Sequence, residues 1–259
     1  MDMKETVLEE LKQIEEQKGV RVLLAVESGS RAWGFASPDS DYDVRFVYVR
    51  PATEYLRLDE PGDVIEWKQD AVLDINGWDI RKALKHFAHG NATLFEWSCS
   101  PIVYRTTPEW EKIMAEAKEY FSEKAAIHHY RGMAKKTWVE YLEGEEITYK
   151  KYFYALRPLL AAQYIERFHD IPPVQFVDLF RCMDLSKELR DAIDELLEKK
   201  KSATENEKHA HIPIIRDYIQ KELTRQKDIA DNTPDDRKSD CAPLNKCFLE
   251  LVGLQSYGI

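Results

Sequence analysis

The sequence predicts an α+β protein whose first half mixes strands and helices and whose second half is all helical. Short apolar runs rich in β-branched residues occur up to about residue 106, and long amphipathic segments follow one another from residue 107 onward. Of the 259 residues 44% are hydrophobic, enough for the core of one large domain or of two ordinary ones. We therefore expect two domains, residues 1–106 and residues 107–259.

The first half carries the predicted strands. An amphipathic helix is predicted up to residue 18, because apolar residues recur at helical spacing and Gly19 follows them. A further helix is predicted over residues 78–89, where apolar side chains again fall on one side. Between these helices we expect four strands, at residues 20–26, 44–49, 63–67 and 71–75. This half is expected to form a short mixed sheet with helices.

The second half shows almost no strand pattern. Residues 231–243 are rich in Asp, Pro and Asn and indicate an exposed loop. Five amphipathic helices are predicted, at residues 108–120, 122–142, 148–169, 186–201 and 209–227. Such a succession is typical of a helical bundle or a helical subdomain.

Composition and charge exclude several classes of protein. The 37 Lys and Arg residues against 47 Asp and Glu give a net charge of -10, which argues against non-specific coating of nucleic acid but leaves a local basic groove open. No apolar stretch is long enough for a membrane span, and the first residues lack the apolar core of a signal peptide. The four cysteines lack the paired spacings of a zinc ribbon or a disulfide scaffold. We expect a cytoplasmic protein with reduced thiols and no membrane partner.

The most informative segment is residues 27–45, which joins two predicted strands. Asp41 and Asp43 are two residues apart at the opening of a strand, so both carboxylates point to one face with Cα atoms roughly 7 Å apart. Neighbouring carboxylates repel, and a shared divalent cation such as Mg²⁺, bound together with substrate phosphates, relieves the repulsion. Upstream, backbone N–H groups and hydroxyls of Ser28–Ser30 are placed to hold phosphate oxygens, and Gly29 lets the main chain come close. This layout is expected for a nucleoside triphosphate bridged to metal.

A third carboxylate would complete a two-metal site. Asp74 lies between apolar residues of a predicted strand, where an acid needs a partner, a metal or an edge position that faces water. Asp79, near the start of the following helix, has the alternative role of an N-terminal cap. We favour Asp74 as the third ligand, and the choice between the two acids stays open at this point.

These residues resemble the DNA polymerase beta-type nucleotidyltransferase superfamily, whose pattern is Gly-Ser, then Asp-x-Asp, then a third acid on a later strand. In detail they are similar to the bacterial and phage branch of predicted nucleotidyltransferases that includes RlaP-like and YcgL-like proteins. The resemblance covers roughly residues 20–165. The segments that carry it are residues 28–34 (Ser-Gly-Ser-Arg-Ala-Trp-Gly), 40–45 (Ser-Asp-Tyr-Asp-Val-Arg), 74–82, 90–91, 96–98, 100–104 and 152–157.

The resemblance implies a minimal nucleotidyltransferase fold followed by a helical domain that closes over the nucleotide. It assigns the family's catalytic and metal-binding acids to Asp41, Asp43 and Asp74, and its phosphate-binding pair to Gly29 and Ser30. Members transfer a nucleoside monophosphate from an NTP to a hydroxyl or related acceptor and release pyrophosphate. The resemblance thus implies two Mg²⁺ or Mn²⁺ ions as cofactors and a nucleoside triphosphate as substrate. The acceptor stays open among an RNA or tRNA end, a small molecule and a protein side chain, with RNA repair as the context the branch suggests.

Four basic side chains are candidate nucleotide ligands. Arg45 lies on the same strand face as Asp43, where it meets a phosphate, offsets the acidic cluster or forms a simple salt bridge. Arg31 follows the Gly-Ser pair and contacts either the γ-phosphate or a nearby carboxylate. Lys151 and Arg157 lie on one face of a predicted helix, where they either bind the substrate or belong to an exposed basic patch.

Two other functions fit parts of this pattern. Asp-x-Asp also opens the haloacid dehalogenase phosphatases, but there the apolar strand precedes the acids, whereas here it follows them, so a phosphatase is disfavoured. A catalytically idle nucleotide-binding regulator or antitoxin-like module would use the same fold to bind a partner. Retention of the three acids and of the Gly-Ser pair argues against loss of activity, though not against partners.

Overall fold

The computed structural model describes residues 2–37, 39–70, 72–202 and 207–254, and the expected α+β class is confirmed. In chain order its elements are α1 (Met3–Lys18), β1 (Arg21–Glu27), α2 (Gly29–Ala32), β2 (Tyr42–Val49), α3 (Ala52–Tyr55), β3 (Val64–Gln69), β4 (Leu73–Asp79), α4 (Ile80–Ala88), α5 (Ala92–Ser98), β5 (Val103–Thr106), α6 (Pro108–Ala117), α7 (Glu123–Thr137), β6 (Glu146–Thr148), α8 (Tyr149–Phe168), α9 (Phe176–Cys182), α10 (Lys187–Ser202), β7 (Lys208–Ala210), α11 (Pro213–Asn232) and α12 (Ala242–Leu251). None of the helices in the described ranges combines the length and the apolar character needed to cross a bilayer.

The chain divides into two compact units. The first comprises Met1–Ala32, Asp41–Phe121 and Arg237–Ile259, and the second comprises Trp33–Ser40 and Ser122–Asp236. The sequence predicts a boundary after residue 106 instead. The difference arises because α6 and α12 pack against each other within the first unit, where Lys112 pairs with Glu250. Periodicity along the chain does not reveal that a C-terminal helix returns to an earlier unit.

A five-stranded mixed sheet forms the centre of the first unit, with strand order β3-β4-β2-β1-β5. β2 and β4 run parallel, and the other neighbouring strands are antiparallel. The starts of β2 and β4 and the end of β1 therefore lie at the same end of the sheet. The candidate acids of the sequence fall at this end.

The apolar face of β2 explains where its polar residues point. Val44 and Phe46 are fully buried in a core that also contains Val7 and Leu11 of α1. Successive side chains of a strand point to opposite faces, so Asp43 and its alternate neighbours point away from that core. The packing of α1 thus decides which face of β2 presents the acid.

The four strands predicted for the first half are confirmed as β1–β4, with shifted bounds. The first residue of the predicted strand 71–75 lies outside the described residues, and β4 runs on to Asp79, so the following helix begins at Ile80 and not at residue 78. The short edge strand Val103–Thr106, which pairs with β1, was not predicted. Its residues are half-exposed or exposed, so it lacks the apolar alternation that marks a strand in a sequence.

The second unit is mainly helical, and α7, α8 and α11 pack against one another. It also contains a two-stranded antiparallel sheet, β6 with β7, which the sequence analysis missed. The predicted start of the helix over 209–227 is wrong, because residues 208–210 pair with residues 146–148 and the helix begins at Pro213. Proline favours the first turn of a helix, where its missing N–H costs nothing. Strands of three residues are too short to show a period in the sequence.

Candidate functional site

Two of the three predicted acids lie side by side at the end of the sheet. The parallel ladder of β2 and β4 pairs Asp43 directly with Asp74. Paired residues of adjacent strands project to the same face, and both carboxylates remain about one-third exposed, at 31% and 33%. Sequence reasoning assigned these acids to one site, and the structure brings them together.

Arg45 lies between these two carboxylates. Its Nη2 is 3.1 Å from Asp43 Oδ1 and 2.7 Å from Asp74 Oδ2. Its Nη1 donates to the carbonyl oxygens of Asp74 and Val44, at 3.1 and 3.0 Å. Arg45 thus forms salt bridges with both acids, whereas a contact of Arg45 with a phosphate stays a prediction.

Asp41, the remaining predicted acid, is not part of this aligned pair. Asp41 is exposed and directly precedes β2. Its carbonyl oxygen accepts a hydrogen bond of 3.1 Å from Nε of Arg31. The Arg31 guanidinium lies 3.6 Å from the ring centroid of Tyr42, a cation–π contact that attaches it to the start of β2. Contacts of Arg31 with a nucleotide stay a prediction.

Gly29 and Ser30 begin the short helix α2 that follows β1. Gly29 has a φ of +62°, which favours glycine, and a Cβ built at this position would collide with Oδ2 of Asp43. Ser30 is buried. The absence of a side chain at residue 29 therefore gives the Asp43 carboxylate its space, and phosphate binding by the pair stays a prediction.

Glu27, the last residue of β1, belongs to the same cluster and was not a predicted site residue. It is 1% exposed, and burial raises its pKa. Oε1 accepts the backbone N–H of Asp43 at 2.8 Å, and Oε2 accepts the hydroxyl of Tyr104 at 2.6 Å. An acid that closes an apolar strand was the available signal in the sequence.

Asp79, the alternative third acid, is the N-cap of α4. Its Oδ1 accepts the backbone N–H of Arg81 at 2.8 Å, and its Oδ2 accepts the hydroxyl of Tyr55 at 2.9 Å. Burial raises the pKa of this carboxyl. It lies five positions beyond Asp74 along β4, or roughly 16 Å of extended chain. The capping role of Asp79 is confirmed, and Asp74 is the acid that lies beside Asp43.

The two predicted nucleotide ligands of the helical half belong to α8, in the second unit. Nζ of Lys151 lies 3.8 Å from the ring centroid of Tyr141. Arg157 is completely buried, its Nε donates to the carbonyl of Val174 at 3.0 Å, and its guanidinium lies 4.6 Å from the ring centroid of Trp33. Arg157 is thus not part of an exposed basic patch. The roles of both residues toward a nucleotide stay predictions.

A family model decides which proteins this chain is related to. The model of the RNA repair pathway DNA polymerase beta family (RlaP) matches residues 3–250. The chain belongs to this family. The resemblance read from the motifs is confirmed, and the RlaP match extends beyond the residues on which the resemblance rested. Membership of the RlaP family makes the chain nucleotidyltransferase-like.

Two further comparisons accompany the RlaP match. The chain is 41% identical over 254 residues to the "Uncharacterized protein YcgL" of Bacillus subtilis (strain 168), covering 96% of each chain. It is also similar to the crystal structure of a nucleotidyltransferase-like protein from Exiguobacterium sibiricum 255-15. That match has 11% identity, covers 96% of this chain and 79% of the other, and has a TM-score of 0.32, too low to support an argument.

The acids of this RlaP family member have the donor chemistry for a divalent cation. Within the described ranges no group of three or more His, Cys, Asp or Glu side chains is placed to hold a metal ion. The donor chemistry fits nevertheless, because carboxylate oxygens are the ligands that Mg²⁺ prefers and Oδ1 of Asp74 is buried without a hydrogen-bond partner. Arg45 already supplies a positive charge between Asp43 and Asp74. These two acids, with the exposed Asp41, are the residues that would hold a cation.

Proposed function

We propose that this chain is a metal-dependent nucleotidyltransferase that transfers a nucleoside monophosphate from an NTP to a hydroxyl acceptor and releases pyrophosphate. The observation that supports the proposal most is the alignment of Asp43 with Asp74 at the sheet end to which Gly29 also belongs. Family membership supports the class of reaction. The proposal specifies the acceptor only as a hydroxyl group. This hydroxyl belongs to an RNA or tRNA end, a small molecule or a protein side chain.

The proposed reaction forms one bond and breaks another at the α-phosphorus. The acceptor oxygen bonds to the α-phosphorus, the bond between this phosphorus and the bridging oxygen to the β-phosphorus breaks, and the acceptor proton leaves to solvent. Pyrophosphate is the leaving group. Catalysis of this kind depends mainly on positioning and on stabilisation of negative charge, since little covalent chemistry is left to the protein.

The chain's own residues supply these two effects. Asp41, Asp43 and Asp74 would hold two Mg²⁺ or Mn²⁺ ions, which when bound stabilise charge on the attacking and leaving oxygens. Gly29 and Ser30 offer backbone N–H groups and a hydroxyl to phosphate oxygens. Nη2 of Arg45, which offsets part of the charge of Asp43 and Asp74 in the free chain, would be available to a phosphate once a cation shares that task.

A second candidate function is favoured by one specific observation. Arg45 pairs with both Asp43 and Asp74, so one of their two negative charges is already offset without a cation. A nucleotide-binding regulator or antitoxin-like module that no longer performs transfer would tolerate this arrangement. We favour the enzyme, because an arginine alone leaves Oδ1 of Asp74 without a hydrogen-bond partner.

Transfer is tested by following pyrophosphate release with each NTP in the presence of Mg²⁺ or Mn²⁺. RNA oligonucleotides, hydroxylated small molecules and the protein itself serve as acceptors, and labelled nucleotide reports where the monophosphate goes. Asp43→Asn is expected to lower the rate at least about 100-fold with the fold intact, because it removes a charged ligand. Asp59→Asn, at an exposed acid paired with Arg57, is the matched control and keeps the wild-type rate.

Two outcomes would contradict the proposal. If the wild-type protein binds NTP without releasing pyrophosphate under any of these conditions, the regulator is the better interpretation. Equal activity of the Asp43→Asn and Asp59→Asn variants would show that the transfer does not depend on this end of the sheet.

A further inference from the structure

Glu27 is a buried carboxylate next to the candidate acids, and its side chain is not accessible to a substrate. Glu27 closes β1 after the apolar run Val22–Val26, where another apolar residue would continue the pattern. Burying a carboxylate costs free energy unless its oxygens are hydrogen-bonded. Both oxygens of Glu27 are bonded, one by Asp43 and one by Tyr104. Its presence therefore calls for a role that an apolar residue cannot fill.

That role is visible in the backbone of Asp43. The N–H of Asp43 donates to Glu27 Oε1 at 2.8 Å, and its carbonyl accepts the N–H of Ser28 at 2.8 Å. The regular pairing of β1 with β2 ends at Glu27 and Val44, so these two bonds continue the attachment one residue further. Both polar backbone groups of Asp43 are thus fixed where the chain enters the strand.

Glu27 is itself held from a third segment. Its backbone N–H donates to the carbonyl of Ile102 at 2.9 Å, and its carbonyl accepts the hydroxyl of Ser100 at 2.6 Å. The Tyr104 hydroxyl donates to its Oε2. These three hydrogen bonds fix the position of Glu27. Because the Asp43 N–H donates to Glu27, the Asp43 backbone is held in turn.

We propose that Glu27 is a positioning residue for Asp43: by accepting the Asp43 N–H it fixes the backbone from which the Asp43 carboxylate reaches Arg45 and Asp74. This inference rests on the proposed function, because positioning matters for the reaction only if Asp43 takes part in it. Glu27 acts here as a hydrogen-bond acceptor. A neutral acceptor of the same shape should therefore replace it, whereas an apolar residue should not.

The test compares Glu27→Gln with Glu27→Leu. The glutamine keeps an oxygen for the Asp43 N–H and offers an N–H to the Tyr104 oxygen, while leucine leaves the Asp43 N–H without an acceptor. Glu10→Leu is the matched control, since Glu10 is also a buried carboxylate of this unit, bonded to Trp67 and Lys68. Two quantities are measured: amide hydrogen exchange at Asp43 in the unloaded protein, and kcat and KM for pyrophosphate release.

Glu27→Leu is expected to speed exchange at the Asp43 amide about tenfold or more and to lower kcat by a similar factor with little change in the KM for NTP. Glu27→Gln is expected to stay within about threefold of the wild type in both. Glu10→Leu is expected to lower stability without either effect.

The inference is overturned if Glu27→Leu leaves exchange at Asp43 unchanged, or if Glu27→Gln is as slow as Glu27→Leu, because charge rather than acceptance would then be required. Equal loss of kcat in Glu27→Leu and Glu10→Leu would show a merely structural role. A wild-type protein that transfers no nucleotide contradicts the proposed function. In that case the exchange measurement alone still supports or overturns the dependence of Asp43 on Glu27.

Discussion

The guanidinium of Arg45 bonds the carboxylate of Asp74 across two parallel strands, with 2.7 Å between Nη2 and Oδ2. The same nitrogen lies 3.1 Å from Asp43 Oδ1, so one arginine bridges both acids of the aligned pair and offsets one of their two negative charges. A divalent cation bound by these carboxylates would compete with Arg45 for the same oxygens. The free chain therefore carries its own substitute for part of the positive charge that the proposed reaction needs.

Substitution of Arg45 should show whether it competes with a divalent cation for the carboxylates of Asp43 and Asp74. We expect Arg45→Gln to lower the Tm without divalent cations, because Asp43 and Asp74 lose their counter-charge. We expect it to raise the apparent affinity for Mn²⁺ about fivefold, the equivalent of about 1 kcal/mol for a partly exposed ion pair. Thermal unfolding and titration calorimetry measure the two effects. Arg57→Gln, at an exposed arginine, is the control. Weaker Mn²⁺ binding by Arg45→Gln would contradict the competition.

For a substitution of Gly29, the lack of space for a Cβ should cost more stability than the backbone conformation does. Gly29 and Gly19 have the same φ of +62°, so alanine is strained by about 1 kcal/mol at either position. A Cβ at Gly19 meets nothing within 4 Å, whereas a Cβ at Gly29 collides with the carboxylate of Asp43. We expect Gly29→Ala to lose at least about 1 kcal/mol more of unfolding free energy in urea than Gly19→Ala. Equal losses would show that Asp43 moves aside freely.

Paired substitutions should separate the two candidate third acids. Asp74→Asn is expected to abolish pyrophosphate release with the protein still folded. Asp79→Asn is expected to retain the activity, because asparagine caps a helix about as well as aspartate and its amide oxygen can accept the Arg81 N–H. Asp79→Ala is expected to cost about 0.5–2 kcal/mol of stability. Retained activity in Asp74→Asn with loss in Asp79→Asn would exchange their assignments.

The stability of the first unit should depend on pH through His86. Burial lowers the pKa of this ring below its ordinary value of 6.5, with repulsion from Lys82 as a smaller cause, and the ring stacks on Trp78 at 4.9 Å. Below the ordinary pKa the unfolded chain binds the proton more readily, so the unfolding free energy falls as pH decreases through this window. His86→Phe keeps an aromatic ring and removes the titration. Urea denaturation on both sides of about pH 6.5 should give a shallower slope for the variant, and an unchanged slope would contradict the assignment.

Local patterns carried much of the prediction. The run of β-branched and aromatic residues at 44–49 marks β2, and because side chains alternate along a strand it also places Asp43 and Arg45 on one face. Asp74 was found because an acid among apolar strand residues needs a partner. In each case the physical cause lies within a few residues of sequence.

The long-range contacts could not be predicted from the sequence, and the reason is again physical. Periodicity tells which face of a strand is buried but not which strand lies beside it, and strands as short as Val103–Thr106 or Lys208–Ala210 leave no readable period. The burial of Arg157 depends on Trp33 and Val174, residues far away in the chain. Because the strand Lys208–Ala210 left no readable period, the start of the helix that follows it was predicted at residue 209 and not at Pro213.

The sequence by itself determined the α+β class and the family and predicted the candidate acids, because hydrophobic periods and the Gly-Ser and Asp-x-Asp spacings are local properties of the chain. Only the tertiary structure decided that Asp43 aligns with Asp74, that Arg45 pairs with both, and that Glu27 holds the Asp43 backbone. These relationships are set by strand order and register. Both depend on how the whole sheet packs, and no short segment encodes them.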